Sequence, residues 1–567
     1  MTMENIFRDR PFKIRNADEY DVANILNLFV SPTEGLTTPF DYENTIIKGR
    51  MGSGKTMYLR ANHAYYLAAL VPSLLEQDRE LILPVLIRLN DFQHISKPAD
   101  IYRAIIVKII EELTSVYLHL EDAKELADLH AGMKLLPDMF LQAHKLSSSM
   151  KQLAKLGSDE YIERVTSELG LKGGAKHKFF ELSAEWKKTN FAELKVKPNP
   201  GIKDIEECYK NLIEDQNGKI LLLIDEAGSL DKSFFKDSES APCSFEIVMN
   251  QFRTAAFIRT KIAVYPNSYS DMLTETRYGD VVMLEETVSD EIGYKRYRDR
   301  AYQIIKNYLN PYSHIDSINR PEDIFELTED GIYGDALEQI MYASNGNMRR
   351  LIQLLDMVMN TAYSEGNCAI KVNKTHALDA LRQHASKTES LFNEQDKELL
   401  NKITAVCKAR STFKFSFPNV PLYKYTGKSQ EYNLINVDQL GSGRRSTVYS
   451  VDYSYAVLKE LPTHRYEDSE KVYHERSMDI GKWISRVATI SQELIDHAAL
   501  PGKIEGVIDY LRGDSGFINS DSEEQFFFMK KDIIEADRNK PIMQGKRVRY
   551  YPTNLNEAKM AVLIEVL

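Results

Sequence analysis

Hydrophobic positions along the first half of the chain alternate between short continuous runs and longer stretches of helical spacing. Five apolar runs have the length and composition of buried strands: 45–47, 81–89, 220–224, 261–265 and 281–284. The residues between them, such as 57–75 and 98–118, place apolar side chains at helical spacing. Strands that alternate with helices indicate a parallel sheet covered on both faces, so the pattern predicts an α/β fold class.

The second half of the chain shows a different pattern. Helical spacing runs from 289 to about 385, and an amphipathic helix is predicted at 396–409. Three short predicted strands follow: 434–437, 446–453 and 455–458. A further helix is predicted from about Tyr473 to Ile495, and alternating runs between 500 and 552 predict a small β-barrel.

One glycine-rich segment joins the first predicted strand to the first long helix. It reads Gly49-Arg50-Met51-Gly52-Ser53-Gly54-Lys55-Thr56, a complete G-x-x-x-x-G-K-[ST] pattern. Glycines let successive N–H groups turn toward phosphate oxygens, and the helix N-terminus adds its positive end. Lys55 supplies a charge for the outer phosphates, and the Thr56 hydroxyl is placed to bind Mg²⁺. The predicted nucleotide contacts are Gly49, Gly52, Ser53, Gly54, Lys55, Thr56 and Met57.

Two carboxylates end the third predicted strand. The aliphatic run 220–224 leads directly into Asp225 and Glu226, at the edge where parallel sheets place their ligands. Asp225 is expected to hold Mg²⁺, directly or through water, and Glu226 to orient and deprotonate an attacking water. Together with the glycine loop, these acids predict a site for ATP and Mg²⁺ and an ATPase activity.

The order of these motifs resembles that of the AAA+ ATPases, nearest to the origin-recognition initiator (ORC/CDC-like) clade, over residues 40–385. The resemblance implies that Asn267, after the fourth strand, is a first sensor, which hydrogen-bonds the attacking water or the γ-phosphate. It implies that Arg349, which opens a helix after Gly346, is a second sensor carried by a helical lid. It also implies that Arg277 is an arginine finger acting on a neighbouring subunit of an oligomer.

Two of these roles have alternatives in the sequence. Asn267 follows Pro266, where a turn residue is common. Arg277 has Glu275 and Asp280 close by in sequence, so it is also placed for a surface ion pair.

The region from 391 to 470 resembles a winged helix, which the initiator clade also carries at this point. Basic residues outnumber acidic ones between 405 and 460. Arg444 and Arg445, at a glycine-flanked turn, are predicted to contact double-stranded DNA. A wing used for protein contact or subunit packing is the alternative.

Residues 500–552 resemble a cold-shock domain, a small five-stranded OB barrel. Gly516-Phe517-Ile518 matches a strand of that family, and Phe526 and Phe528 match its alternating aromatics. Alternate residues on a strand share one face, where unpaired bases would stack. Lys503, Phe517, Phe526 and Phe528 are therefore predicted to bind single-stranded nucleic acid, and a barrel kept for protein contact is the alternative.

Composition narrows the function classes. A net charge of −11 over 567 residues argues against general coating of nucleic acid and still allows local basic surfaces. No apolar run is long enough for a membrane span, and the N-terminal residues lack a signal-peptide core. Four scattered cysteines without metal-ligand spacing indicate reduced thiols, so a cytoplasmic protein is expected.

These patterns predict five parts: an AAA+ core at 1–285 with a helical insertion at about 122–200, a helical lid at 286–390, a winged-helix-like domain at 391–470, a linker helix at 471–499 and an OB domain at 500–567. The leading hypothesis is an oligomerising ATPase that binds nucleic acid and couples ATP to assembly or remodelling on it. The alternative is a nucleotide-gated scaffold or sensor for an effector protein, for example in bacterial anti-phage defence.

Overall fold

The computed structural model describes residues 4–20, 22–32, 38–75, 80–95, 97, 100–113, 116, 201–212, 218–225, 230, 244–265, 279–286, 288, 291–312, 320–326, 335–366, 371–417, 433–439, 447–461, 487–490, 502–555 and 558–567. The chain divides into two compact units. We call Pro11–Asn319 with Gly346–Ile352 the sheet unit, and Met1–Arg10 with Arg320–Asn345 and Gln353–Leu567 the barrel unit. The predicted insertion at about 122–200 lies outside the described residues.

Helices and strands occur along the whole described chain. The helices are α1 (Glu4–Asp9), α2 (Val22–Leu28), α3 (Lys55–Leu75), α4 (100–113), α5 (Ile202–Leu212), α6 (Ser244–Thr254), α7 (Glu291–Leu309), α8 (Pro321–Ile324), α9 (Ala336–Ser344), α10 (Met348–Gly366), α11 (Lys374–Glu389), α12 (Glu394–Ala409) and α13 (Tyr453–Leu458). The strands are β1 (Thr45–Lys48), β2 (Leu81–Arg88), β3 (Gly218–Asp225), β4 (Ile258–Val264), β5 (Asp280–Met283), β6 (Lys414–Phe417), β7 (Ile435–Gln439), β8 (Thr447–Val451), β9 (Val487–Thr489), β10 (Ile504–Arg512), β11 (Ser515–Ser520), β12 (Gln525–Met529), β13 (Arg547–Leu555) and β14 (Ala558–Val566).

The sheet unit is built on a five-stranded sheet of order β2-β3-β4-β1-β5, in which every neighbouring pair is parallel. Successive side chains of a strand point to opposite faces, so β3 serves two cores. Leu222 and Ile224 pack into one buried cluster, and Leu221 and Leu223 pack into another. The predicted α/β fold class with a parallel sheet is confirmed.

The barrel unit contains a four-stranded sheet of order β7-β8-β6-β9 that packs with α12. Its β7 and β8 pair in the antiparallel direction, in a sheet that also contains β6 and β9. The winged-helix assignment and the proposed domain boundaries stay predictions.

Two sequence expectations in this region are wrong. The strand predicted at 455–458 is helix α13, which begins after Asp452 because the Asp452 carboxylate accepts a hydrogen bond from Ser454 N at 3.0 Å. The helix predicted across 473–495 is wrong at Val487–Thr489, which is strand β9 and pairs in parallel with Lys414–Ser416. Ala488 is buried there, so tertiary pairing overrides local propensity.

The C-terminal residues form a closed barrel of order β10-β11-β12-β14-β13, as predicted. Its interior contains aromatic and aliphatic side chains of all five strands. One glycine makes room for them, since a Cβ at Gly516 would lie 2.7 Å from the Phe528 ring. None of the described helices is both long and apolar enough to span a membrane.

A buried carboxyl group lies on α9 in the barrel unit. Every residue of Ala336–Ser344 is buried, and Glu338 is 2% exposed. Burial raises the pKa of Glu338 from its ordinary 4.5 to about 8. A group whose pKa is raised on folding contributes stability that is complete below its unfolded pKa and is lost as pH rises through the folded pKa.

We therefore expect Glu338→Gln to raise the melting temperature of the barrel unit more at pH 8 than at pH 5. The glutamine stays neutral across this range. The wild-type carboxyl loses its proton more readily in the unfolded protein than in the folded one, so rising pH lowers the free energy of unfolding by at most about 1.4 kcal/mol per pH unit. Scanning calorimetry at both pH values measures the effect. Glu394→Gln, on the exposed first turn of α12, is the control and should not change the pH dependence. Equal shifts at pH 5 and pH 8 would contradict the prediction.

Candidate nucleotide site and barrel surface

The glycine loop leaves β1 at the carboxyl edge of the sheet and leads into α3. Gly52 and Gly54 have φ values of +81° and +100°, in the left-handed region that favours glycine. The loop lines a cavity together with Asp225, the N-terminal segment and the start of α10. The segments that the motifs predicted to meet therefore share one cavity.

Lys55 is buried against its own loop. Its Nζ donates hydrogen bonds to the carbonyls of Gly49 at 2.7 Å and Arg50 at 2.8 Å, and it lies 4.1 Å from the centroid of the Tyr265 ring. Burial lowers the pKa of Lys55 to about 8, while the charges of Asp225 and Glu285 act in the opposite direction.

Arg349, at the start of α10, also influences the electrostatics of Lys55. The charge of Arg349 also lowers the pKa of Lys55, so the guanidinium lies within electrostatic reach of the ammonium. Arg349 N donates to the Gly52 carbonyl at 3.1 Å. Two cations that face one cavity favour an anionic occupant.

The site's oxygen groups fit a nucleotide with magnesium. Asp225, the last residue of β3, is buried and lines the cavity beside Thr56. A carboxylate and a hydroxyl are ligands that Mg²⁺ accepts. The Ser53 Oγ is buried and has no hydrogen-bond partner among the described residues, so a donor is present for a phosphate oxygen.

An aromatic wall closes another side of the cavity. Tyr20 donates to the Tyr308 hydroxyl at 3.0 Å, and Phe12 stacks on Tyr308 with ring centroids 5.5 Å apart. Arg60 of α3 holds this wall by donating to the Tyr20 carbonyl at 2.8 Å. Tyr20, Phe29 and Tyr308 line the cavity, where a planar base would find apolar contacts.

Several side chains of the site were missed by sequence reasoning. Tyr265 ends a predicted strand, and Glu285, which pairs with Arg50 at 3.0 Å, belongs to no sequence motif. Asn347 directly precedes α10, a position whose residue type predicts a helix cap and does not predict a contact with the loop. Five predicted site residues lie outside the described residues: Glu226, Asn267, Arg277, Arg444 and Arg445.

The predicted stacking surface of the barrel needs a correction. Phe526 and Phe528 do share one face, but it is the interior face, where they are 3% and 0% exposed. The outward residue of β12 is Phe527, whose ring meets that of Phe517 at a centroid distance of 5.6 Å. Phe517 is 36% exposed, and its partner on β10, Tyr510, is 49% exposed. We call Tyr510, Phe517 and Phe527 the outer aromatic patch.

Basic residues of the same barrel are held in ion pairs. Lys503 pairs with Glu565 and lies 5.0 Å from the Tyr551 ring centroid. Arg549 pairs with Glu505 at 2.8 Å, and Arg547 pairs with Glu505 at 3.2 Å and with Asp521 at 2.6 Å. A phosphate backbone would have to compete with these carboxylates.

Comparison with known proteins gives a family-model match over part of the chain and likenesses among solved structures. A search of curated proteins finds no match. Among solved structures, the Aeropyrum pernix ORC1 protein in complex with DNA matches with a TM-score of 0.30 and 12% identity, over 79% of this chain and 94% of that one. The family model described as ORC-CDC6-like matches residues 10–236, which include the glycine loop and Asp225. Residues 10–236 are thus similar to the ORC-CDC6-like family.

Proposed function

We propose that this chain is an ATPase that binds ATP with Mg²⁺ in the cavity of the sheet unit. One observation carries the proposal: Lys55, Asp225 and Arg349 come from distant parts of the sequence and line the same cavity as the glycine loop. Two cations, one carboxylate and a row of loop N–H groups match a triphosphate with one metal ion.

Each group has a part in this proposal. Loop N–H groups and Lys55 bind the β- and γ-phosphates, and Thr56 and Asp225 hold Mg²⁺. Bound Mg²⁺ would neutralise charge that develops on the phosphate oxygens. Arg349 neutralises charge from the start of α10.

The roles of the residues outside the described ranges remain part of the proposal. Glu226 directly follows Asp225 and would orient and deprotonate the attacking water. Asn267 would hydrogen-bond that water. Arg277 would act on the site of a neighbouring subunit in an oligomer, where charge stabilisation depends on docking.

Lys55→Ala is expected to weaken ATP binding by roughly 10- to 150-fold, because a hydrogen-bonded charge contributes about 1.5–3 kcal/mol. Glu226→Gln is expected to retain ATP binding and to lower hydrolysis by about 100- to 10,000-fold, the range for a general base. Fluorescent ATP titration measures the first effect, and phosphate release measures the second.

Lys219→Ala is the matched control, because Lys219 lies near the opposite end of β3 from Asp225 and pairs with Glu80. It should leave both quantities unchanged. ATP binding by Lys55→Ala at the wild-type affinity would overturn the proposed site. If Glu226→Gln hydrolysed ATP at the wild-type rate, Glu226 would not be the residue that deprotonates the attacking water.

We also propose that the barrel binds single-stranded nucleic acid through the outer aromatic patch. The patch lies on β10, β11 and β12, and the face of the second and third strands is the one that OB barrels use for oligonucleotides. Stacking does not require a free cation, which suits a barrel in which Arg547 and Arg549 are already paired with carboxylates. Arg444 and Arg445 are proposed to contact double-stranded DNA, coupling ATP binding to assembly on it.

Phe517→Ala and Phe527→Ala are each expected to weaken binding of a single-stranded oligonucleotide by roughly 5- to 150-fold, since one stacked base contributes about 1–3 kcal/mol. Fluorescence anisotropy with a labelled oligothymidylate measures the affinity. Tyr363→Ala, at a 39% exposed aromatic on α10, is the control. Equal affinity of all three variants and the wild type would exclude the patch as the binding surface and would favour a role in protein contact.

A further inference from the structure

Asn347 makes contacts in two directions at the start of α10. The side chain is 6% exposed. Its Oδ1 accepts from Arg350 N at 3.0 Å, which caps the helix. Its Nδ2 donates to the carbonyl of Met51, in the middle of the glycine loop, at 2.7 Å. One amide group therefore joins the helix to the loop.

Gly52 shows that the loop is shaped to receive this amide. Gly52 occupies a variable position of the G-x-x-x-x-G-K-[ST] pattern, so the motif alone does not require glycine there. A Cβ at this position would lie 2.4 Å from Asn347 Oδ1, and its φ of +81° favours glycine independently. Gly52 and Asn347 fit each other as a pair.

Other contacts hold the same part of the loop. Arg349 N donates to the Gly52 carbonyl at 3.1 Å. From the end of β5, Glu285 accepts a hydrogen bond from Arg50 N and pairs with the Arg50 guanidinium at 3.0 Å. Residues 50–52 are thus anchored from two elements.

The Met51 contact has a directional consequence. A trans peptide is planar, and its C=O and N–H groups point in opposite directions. When Asn347 fixes the Met51 carbonyl, it also fixes the direction of the Gly52 N–H on the other side of that peptide. Phosphate binding by a glycine loop depends on the direction of such N–H groups.

We propose that Asn347 is a positioning residue, which presets the peptide between Met51 and Gly52 for phosphate binding and ties the start of α10 to the loop. The proposal rests on the nucleotide site proposed above. Because the preset peptide belongs to the loop, ATP and ADP should both benefit from it. Arg349, by contrast, is proposed to act on the outer phosphate, so its loss should affect ATP more than ADP.

The test compares Asn347→Ser with Asn393→Ser. Serine is as good a helix cap as asparagine, but its hydroxyl is too short to replace the amide donor. Asn393 caps α12 by accepting from Asp396 N at 2.8 Å, so its replacement controls for the loss of an asparagine cap. Asn347→Asp is a second variant, which keeps the shape and the cap and removes the donor.

Titration with fluorescent ATP and ADP should show a loss of about tenfold for both nucleotides in Asn347→Ser and no loss in Asn393→Ser. Arg349→Ala should lose more affinity for ATP than for ADP. In the nucleotide-free protein, hydrogen exchange at the Gly52 amide should be faster in both Asn347 variants, while their melting temperatures match that of Asn393→Ser.

The outcomes separate the two proposals. A wild-type protein that binds neither nucleotide would overturn the proposed function. Wild-type binding together with unchanged affinity and unchanged Gly52 exchange in the Asn347 variants would overturn the role of Asn347 alone. Faster Gly52 exchange with a lower melting temperature than the control would show a structural role only, and would also overturn the proposal.

Discussion

The organisation of the sheet unit depends on keeping one lysine charge in a largely water-excluded place. Burying an ammonium group is costly unless acceptors surround it. Lys55 has two loop carbonyls, an aromatic ring face and the nearby charges of Asp225 and Glu285. These partners come from β3 and from the segments after β1, β4 and β5. The parallel sheet brings these four segments to one edge. The order of the strands therefore makes it possible to keep the Lys55 charge in this buried place.

The lowered pKa of Lys55 shows that these partners compensate only part of the desolvation. An anion in the cavity would supply the remainder, so the buried charge favours an anionic ligand. The loop must then keep its backbone conformation before a ligand binds. Its anchoring by Glu285 and by Asn347 answers this need, since glycines alone make a backbone permissive and do not make it rigid.

Sequence patterns predicted the elements whose signals are local. The glycine loop, the aliphatic strand before Asp225 and the alternating strands of the barrel all have the predicted kind of structure. The predicted secondary structure is wrong where one local sequence pattern is compatible with two kinds of structure. Residues 455–458 form a short apolar run, which fits a strand or a buried helix equally well, and the Asp452 cap decides for the helix. Strand β9 exists through its pairing with β6, which no local pattern encodes.

Long-range contacts explain what the sequence could not place in the site. Asn347 lies 296 positions from Met51, and only the fold shows that its amide reaches the loop. In the barrel, period-two alternation correctly put Phe526 and Phe528 on one face, but the pattern is symmetric and does not say which face is inside. Gly516 decides it, because the missing side chain on β11 leaves interior space that the Phe528 ring fills. Phe517 and Phe527 then lie on the outward face. A glycine opposite an aromatic on a neighbouring strand is therefore a sequence feature that assigns the interior face of a small barrel, where alternation alone cannot.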